Sequence, residues 1–216
     1  MKRAITLLVA LFSLSAFSQE QKHSPFYYQR VDFFEKFPIA ANDIVFLGNS
    51  ITNGCEWAEL FPDKNVKNRG ISGDISQGVY ERLDNIVNGK PKKILLLIGV
   101  NDIARGIPAE TTFANIERIV TKIRKVSPKT EIYLQSILPV NADFKLFENH
   151  QQPEKIKALN VQIRELAQKH KAIYVDLYPH FVIPNTDKLK PEYTNDGLHL
   201  MAAGYITWRK IIQDYL

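Results

Sequence analysis

Five consecutive branched aliphatic residues, Ile94 to Ile98, constrain the fold of this chain more than any other stretch. They follow Pro91-Lys92-Lys93 and end at Gly99, so the run has the length of a strand and no polar face. A strand that is apolar on both faces must be covered on both faces, as the central strands of parallel sheets are. The run therefore predicts a buried strand in the middle of an α/β domain.

Similar apolar runs alternate with segments of helical periodicity along residues 19–216. Parallel strands need crossover helices that pack back onto the sheet. The alternation therefore predicts one α/β domain of three layers, α/β/α, with a mainly parallel five-stranded sheet. The predicted strands are Ile44 to Leu47, Val66 to Asn68, Ile94 to Ile98, Glu131 to Leu138 and Ile173 to Asp176; the predicted helices lie within Gln19 to Ala41, Ser76 to Val87, Pro108 to Pro128, Pro153 to Leu166 and Met201 to Tyr215.

Residues 1–18 have the pattern of a secretory signal peptide. Lys2-Arg3 precede an apolar run from Ala4 to Phe12, and small residues stand at Ala16 and Ser18. The apolar run is too short to span a bilayer. We therefore expect cleavage after Ser18, an exported protein that is periplasmic or extracellular, and no membrane partner once the signal is removed.

Charge and motif content exclude several classes of partner. Loss of Lys2 and Arg3 lowers the formal net charge from +5 to +3, too small a surplus for a nucleic-acid partner. Cys55 is the only cysteine, so no intrachain disulfide can form. No glycine-rich nucleotide motif occurs, which predicts no cofactor. Four histidines without the spacing of metal ligands predict no metal; they are His23, His150, His170 and His180.

Polar residues beside glycine follow the predicted strands at several points. Ser50 comes after the first strand, Gly73 after the second and Asn101 after the third, whereas Asp196 and His199 precede the last helix. Ligand sites of open α/β sheets lie at the carboxyl ends of strands, so these residues are candidates for a common site. Ser50 could equally cap a helix, and a D-x-x-H pair alone is a weak signal.

Together these positions resemble the four motifs of the SGNH hydrolases, a branch of the GDSL-like lipases and acylhydrolases. Phe46-Leu47-Gly48-Asn49-Ser50-Ile51-Thr52 is similar to the serine motif and Asn68-Arg69-Gly70-Ile71-Ser72-Gly73-Asp74 to the glycine motif. Ile98-Gly99-Val100-Asn101-Asp102 matches G-x-N-D, and Asp196-Gly197-Leu198-His199 matches D-x-x-H. The resemblance covers Ile44 to Leu216 and is to the exported, acetylesterase-like members of the family.

The resemblance implies a flavodoxin-like fold and a role for each motif. Ser50 is the expected nucleophile, His199 its base and Asp196 the residue that orients the imidazole. The backbone N–H groups of Ser50 and Gly73 and the side-chain amide of Asn101 are the expected oxyanion hole. The chain departs from the family at Asn49, where the family has aspartate. This exchange removes a negative charge beside the nucleophile but no member of the triad.

The resulting prediction is a metal-independent serine esterase that removes a small O-acyl group, acetyl above all, from a carbohydrate or another small molecule. The alternatives are a lysophospholipase or thioesterase of the same fold, and a carbohydrate-binding protein that has lost catalysis. Trp57 and Arg69 are weaker candidates for the substrate pocket, with core packing and surface exposure as the alternatives. The long connector from Val140 to Gln152 is either a loop beside the site or poorly ordered.

Overall fold

A five-stranded parallel sheet forms the centre of the domain, as the sequence predicts. The structure is a computed structural model that describes residues 22–216, so the predicted signal peptide at 1–18 lies outside the described residues. All neighbouring strands are parallel, and their order is β2-β1-β3-β4-β5. This is the flavodoxin-like order, in which chain direction along the sheet switches between β1 and β3. The strands are β1 (Ile44–Gly48), β2 (Val66–Gly70), β3 (Lys93–Leu97), β4 (Glu131–Gln135) and β5 (Ile173–Val175).

The helices cover both faces of this sheet. On one face the Phe46 ring stacks on Trp57 with centroids 3.7 Å apart, and Trp57 packs edge-on against Trp208 at 5.0 Å. On the other face Ile116 and Ile163 lie around the aliphatic side chains of β3 and β4. The helices are α1 (Pro25–Lys36), α2 (Ser50–Asn53), α3 (Trp57–Leu60), α4 (Ser76–Glu81), α5 (Asp84–Val87), α6 (Val100–Ala104), α7 (Ala109–Val126), α8 (Pro153–Lys169), α9 (Tyr178–Phe181) and α10 (Ala202–Ile212).

β1 and β3 are the two strands that position the site. Every residue in both is buried, as the run from Ile94 to Ile98 predicts. Their register pairs Gly48 with Leu97, so both strands end at the same level. The residues that follow them in sequence therefore emerge side by side at the carboxyl edge of the sheet.

Two helix predictions differ from the structure. The predicted helix from Ser76 to Val87 is two short helices, α4 and α5, separated at Arg82 and Leu83. The Arg82 guanidinium is buried and donates to Asp74 and to the carbonyl oxygens of Gly48 and Arg69, so it ties the end of α4 to the sheet. For the first helix, the spacing of Tyr27, Val31, Phe34 and Phe37 predicts one apolar face that contains all four. The helix ends at Lys36, and Phe37 beyond it is 57% exposed.

The connector from Val140 to Gln152 is ordered around two single 3₁₀ turns, Ala142–Phe144 and Glu148–His150. Its second turn contacts α6, and the side chain of Gln152 donates to the Ile103 carbonyl oxygen at 3.1 Å. This segment is therefore a loop beside the site, which is one of the two predicted alternatives. Within residues 22–216, no helix combines the length and apolar character needed to cross a bilayer.

Candidate active site

The turn after β1 presents Ser50 at the sheet edge. Gly48 ends the strand where a Cβ would collide with the Leu97 carbonyl oxygen, so only glycine lets the chain pass this close to β3. Asn49 then caps α2, because its Oδ1 accepts a hydrogen bond from the Ile51 N–H at 3.0 Å. Ser50 is the first residue of that helix, is partly buried and lines a cavity at this edge of the sheet.

A second turn, which precedes α10, carries Asp196 and His199. Gly197 adopts a positive φ of 89°, and its position leaves no room for a Cβ beside the Asn141 carbonyl oxygen. Asp196 Oδ1 accepts from the N–H groups of Leu198 and His199 at 2.9 and 2.8 Å. The same carboxylate contacts His199 Nδ1 through Oδ2 at 2.7 Å. The turn therefore fixes the carboxylate and the imidazole relative to each other.

The two turns meet at the carboxyl edge of the sheet. His199 Nε2 lies 2.9 Å from Ser50 Oγ, although 149 positions separate the two residues in sequence. The contacts form a continuous chain from carboxylate to imidazole to hydroxyl. Burial raises the pKa of Asp196, but the hydrogen bonds from Leu198 and His199 outweigh it and hold that pKa below its usual range. The carboxylate is therefore ionised at neutral pH.

Gly73 and Asn101 follow β2 and β3 at the carboxyl edge of the sheet. Gly73 has a φ of 77° in the turn after β2, and its N–H meets no acceptor within residues 22–216. Asn101 follows β3 in α6 and donates from Nδ2 to the Asp74 carbonyl oxygen at 2.8 Å. Both residues line one cavity with Ser50 and His199. All five residues predicted for catalysis and the oxyanion hole thus occur around this site.

The cavity has a volume of about 480 Å³, within the range of small-molecule sites. Part of its wall comes from the connector after β4, which contributes Phe147, Asn149 and His150. The sequence predicts His150 only as a histidine without metal-ligand spacing, and the one signal for a place at the site is that its connector is long enough to be a loop beside it. The remaining lining residues are Ser72, Ala104, Arg105 and Leu198.

Two buried aspartates brace the loops around the cavity. Asp102 accepts hydrogen bonds from Ser76, including its N–H at 3.1 Å, and Asp74 accepts from Arg82 Nε at 2.9 Å. Burial raises the pKa of both carboxyl groups, and hydrogen bonds from Ser76 and the charge of Arg82 act in the opposite direction. Neither aspartate lines the cavity with Ser50.

Trp57 and Arg69 do not line this cavity, so both predictions of a substrate contact need correction. Trp57 is 1% exposed, stacks on Phe46 and donates from Nε1 to the Thr52 carbonyl oxygen at 2.9 Å. Arg69 is 5% exposed, and its guanidinium lies over the Phe34 ring and donates to the Phe37 carbonyl oxygen at 2.7 Å. Trp57 packs the core and Arg69 fastens α1 to the sheet.

Within the part of the chain that the structure describes, no three His, Cys, Asp or Glu side chains are arranged to bind a metal ion. The groups at the cavity are the Ser50 hydroxyl and the His199 imidazole with its Asp196 carboxylate, together with the amide groups of Gly73 and Asn101. This set of groups on a flavodoxin-like sheet defines the class of the SGNH hydrolases, which are carboxylic ester hydrolases.

The chain belongs to the GDSL-like lipase/acylhydrolase family, because residues 46–205 match that family. Platelet-activating factor acetylhydrolase IB subunit alpha1 of Rattus norvegicus is 29% identical over an alignment of 174 residues that covers 76% of this chain and 70% of the relative. The structure of a GDSL-like lipase from Bacteroides thetaiotaomicron superposes with a TM-score of 0.76 at 28% identity, covering 88% of this chain and 97% of the other. An acetylxylan esterase from Geobacillus stearothermophilus shares the fold, with a TM-score of 0.65 at 16% identity over 82% of this chain and 94% of the other.

Proposed function

We propose that the protein is a serine esterase that removes small O-acyl groups, chiefly acetyl, from carbohydrates by means of Ser50, His199 and Asp196. The observation that carries the proposal is the unbroken hydrogen-bond chain from Asp196 Oδ2 through His199 to Ser50 Oγ, with distances of 2.7 and 2.9 Å. A nucleophile, a base within hydrogen-bond reach and a group that orients the base are the three parts that nucleophilic catalysis needs.

The proposed reaction begins with proton transfer from the Ser50 hydroxyl to His199. Because His199 Nδ1 donates to the Asp196 carboxylate, the lone pair of Nε2 faces Ser50 Oγ. Ser50 Oγ attacks the ester carbonyl carbon, and the protonated imidazole then returns the proton to the leaving alcohol. Water repeats both steps on the acyl-enzyme, which releases the carboxylic acid and restores the serine.

The negative charge of each tetrahedral intermediate is stabilised by three hydrogen-bond donors at the cavity. These are the N–H groups of Ser50 and Gly73 and the Asn101 side-chain amide. Support for Gly73 comes from its N–H, which has no acceptor within residues 22–216, and support for Asn101 from its place in the same cavity. Donors that are already oriented need no reorganisation as the charge develops.

The preference for a short acyl group rests on the lining of the cavity. Its apolar contributors are Ala104, Phe147 and Leu198, and the other lining residues are polar or glycine. Three apolar side chains can enclose an acetyl group but offer little surface to a long acyl chain. The names of an acetylhydrolase and an acetylxylan esterase among the similar proteins agree with acetyl as the acyl group and, for the second, with a carbohydrate as the alcohol.

Hydrolysis of p-nitrophenyl acetate, butyrate and decanoate tests the proposal, with Ser50→Ala as the control. We expect kcat/KM to fall steadily from acetate to decanoate and to vanish in Ser50→Ala. A preference for decanoate would favour the lysophospholipase alternative, and preference for acetyl thioesters would favour a thioesterase. Folded protein that cleaves none of these esters would support the non-catalytic carbohydrate-binding alternative.

A screen of acetylated carbohydrates identifies the alcohol. Acetylated xylan fragments and O-acetylated sialic acids are the first substrates to compare, with released acetate as the measured product. We expect acetate release from at least one carbohydrate at a higher kcat/KM than from p-nitrophenyl acetate. Activity confined to the synthetic ester would contradict the carbohydrate part of the proposal.

Export of the protein belongs to the same proposal. It rests on the basic, apolar and small-residue pattern of residues 1–18. Expression of the full chain in a double-membraned bacterium should give a periplasmic or extracellular product whose first residue is Gln19. An uncleaved chain retained in the cytoplasm would contradict it.

A further inference from the structure

The side-chain amide of Asn101 has contacts on both of its polar atoms, and these define its orientation. Nδ2 lies 2.8 Å from the Asp74 carbonyl oxygen and Oδ1 lies 3.1 Å from His150 Nε2. A carbonyl oxygen can only accept hydrogen bonds, so the amide nitrogen must be the atom that faces Asp74. Oδ1 then faces His150 and can itself only accept. His150 Nε2 must therefore carry a proton and donate it.

The other ring nitrogen of His150 favours the same neutral form. Nδ1 is buried and meets no partner within residues 22–216. A proton on Nδ1 would be a buried donor without an acceptor, which costs free energy. Burial, with the neighbouring His199 and Arg105 acting in the same direction, lowers the pKa of His150, so the ring is neutral at neutral pH. The hydrogen bond to Asn101 then assigns its single proton to Nε2.

The loop that carries His150 is attached to the helix that carries Asn101. Gln152 Nε2 donates to the carbonyl oxygens of Asn149 and of Ile103 in α6, at 2.8 and 3.1 Å. The Phe147 ring packs edge-on against both imidazoles, with centroids 5.4 Å from His150 and 5.1 Å from His199. His150 and Asn101 are thus held together by contacts beyond their own hydrogen bond.

We propose that His150 is a positioning residue that orients and polarises the oxyanion donor of Asn101. One N–H of Nδ2 is used by the Asp74 carbonyl oxygen, and the other is left for the oxyanion. Donation from His150 to Oδ1 stops rotation of the amide and draws electron density toward the oxygen, which strengthens the donors on Nδ2. The inference rests on the proposed function and adds to it a residue that touches no reacting atom.

A matched pair of variants tests this role, with p-nitrophenyl acetate as the substrate. His150→Gln keeps an N–H donor near the position of Nε2, whereas His150→Asn carries the same amide on a side chain too short to reach Asn101. We expect kcat of His150→Asn to fall about tenfold, less than the loss of a whole oxyanion donor, with KM changed by less than about twofold. His150→Gln should stay within about threefold of the wild type.

A double-mutant cycle separates positioning from a general structural role. In an Asn101→Ala background, His150→Asn should change kcat by less than about twofold, because its target is gone. Equal losses in both backgrounds, or a His150→Gln variant no better than His150→Asn, would overturn the inference. Each kcat is divided by the fraction of folded active sites, measured by fluorophosphonate titration.

The tautomer of His150 provides a measurement on the wild-type protein that needs no turnover. Nitrogen-15 NMR of histidine-labelled wild-type protein at neutral pH should find His150 protonated on Nε2 alone, with His150→Gln used to assign the signal. A proton on Nδ1 would overturn the inference even if His150→Asn fails to fold. A wild type that cleaves no ester, and whose Ser50 a fluorophosphonate does not label, would instead count against the proposed function. The tautomer of His150 would still test its hydrogen bond to Asn101.

Discussion

His199 Nε2 lies 2.9 Å from Ser50 Oγ. Ser50 follows the first strand and His199 follows the last, so this contact forms only when all five strands are in place. The last helix secures this contact, because the Tyr205 hydroxyl in α10 donates to the Ile51 carbonyl oxygen in α2 at 2.8 Å. The next aromatic of α10, Trp208, donates to Gln135 at the end of β4. One buried hydrogen bond therefore holds α10 against the helix that begins with the serine, and a second holds α10 against the end of β4.

Asn101→Ala should reduce kcat about 10² to 10³-fold, with little change in KM, because it removes one donor that acts on the transition state. The variant also leaves the buried Asp74 carbonyl oxygen without its side-chain donor, so the free energy of unfolding should fall by about 1 kcal/mol. Steady-state kinetics and urea unfolding measure the two effects. A variant with wild-type kcat would remove Asn101 from the oxyanion hole.

Asp196→Asn should lower kcat about 10⁴-fold, because an amide cannot hold the imidazole in the required tautomer as a carboxylate does. It should also change how stability depends on pH. The pKa of Asp196 is lower in the folded than in the unfolded chain, so the folded state binds this proton less tightly. The carboxylate thus stabilises the fold above the ordinary pKa of 3.8, and the contribution disappears as pH falls through the lower folded value.

Urea unfolding of wild type and Asp196→Asn across about pH 3 to 7 checks this dependence. The wild type should be the more stable protein at neutral pH, and the difference should shrink at the acidic end. A difference that is independent of pH would mean that the charge of Asp196 contributes nothing to stability.

Asn49→Asp should keep kcat within about tenfold of the wild type and retain the fold, because a carboxylate can accept the same hydrogen bond from Ile51. Nδ2 of Asn49 has no partner within residues 22–216, so the exchange removes no hydrogen bond. Asn49→Ala, the control, loses the cap and should lower the free energy of unfolding by about 1 kcal/mol. Loss of activity in a folded Asn49→Asp protein would show that residue 49 does more than cap α2.

Arg82→Met should lower the free energy of unfolding by about 3 to 5 kcal/mol, because it leaves the Asp74 carboxylate buried without its counter-ion. Both side chains of this pair are 1% exposed. Arg164→Met is the matched control, since Arg164 pairs with Asp176 at the surface and should cost less than about 1 kcal/mol. Urea unfolding measures both; equal losses would contradict the role given to the buried pair.

Much of the fold can be predicted from the sequence because the central strands β1 and β3 are short, largely apolar and bounded by turns. Ile94 to Ile98 could only be a central strand, and parallel strands bring their carboxyl ends to one edge. That geometry is why Ser50 and Asn101, each just beyond a buried strand, could be expected near one another. The pairing of Asp196 with His199 could be expected as well, because only Gly197 and Leu198 separate them.

Features that depend on contacts between distant segments could not be predicted from the sequence. His150 lies in a connector without periodicity, and its partner Asn101 is 49 positions away. The sequence allowed Trp57 either in a pocket or in the core. Its contacts with the rings of Phe46 and Trp208 place it in the core. The break at Arg82 likewise follows from the distant carbonyl oxygen of Gly48, which no local helical pattern contains.

Mapping the residue that a fluorophosphonate modifies tests the account most directly. Peptide mass spectrometry of the labelled wild type should place a single adduct on Ser50, the rate of labelling should fall sharply in His199→Ala, and Ser50→Ala should take up no label. Folded wild-type protein that stays unlabelled, or Ser50→Ala that is labelled at the wild-type rate, would contradict the assignment of Ser50 as the nucleophile.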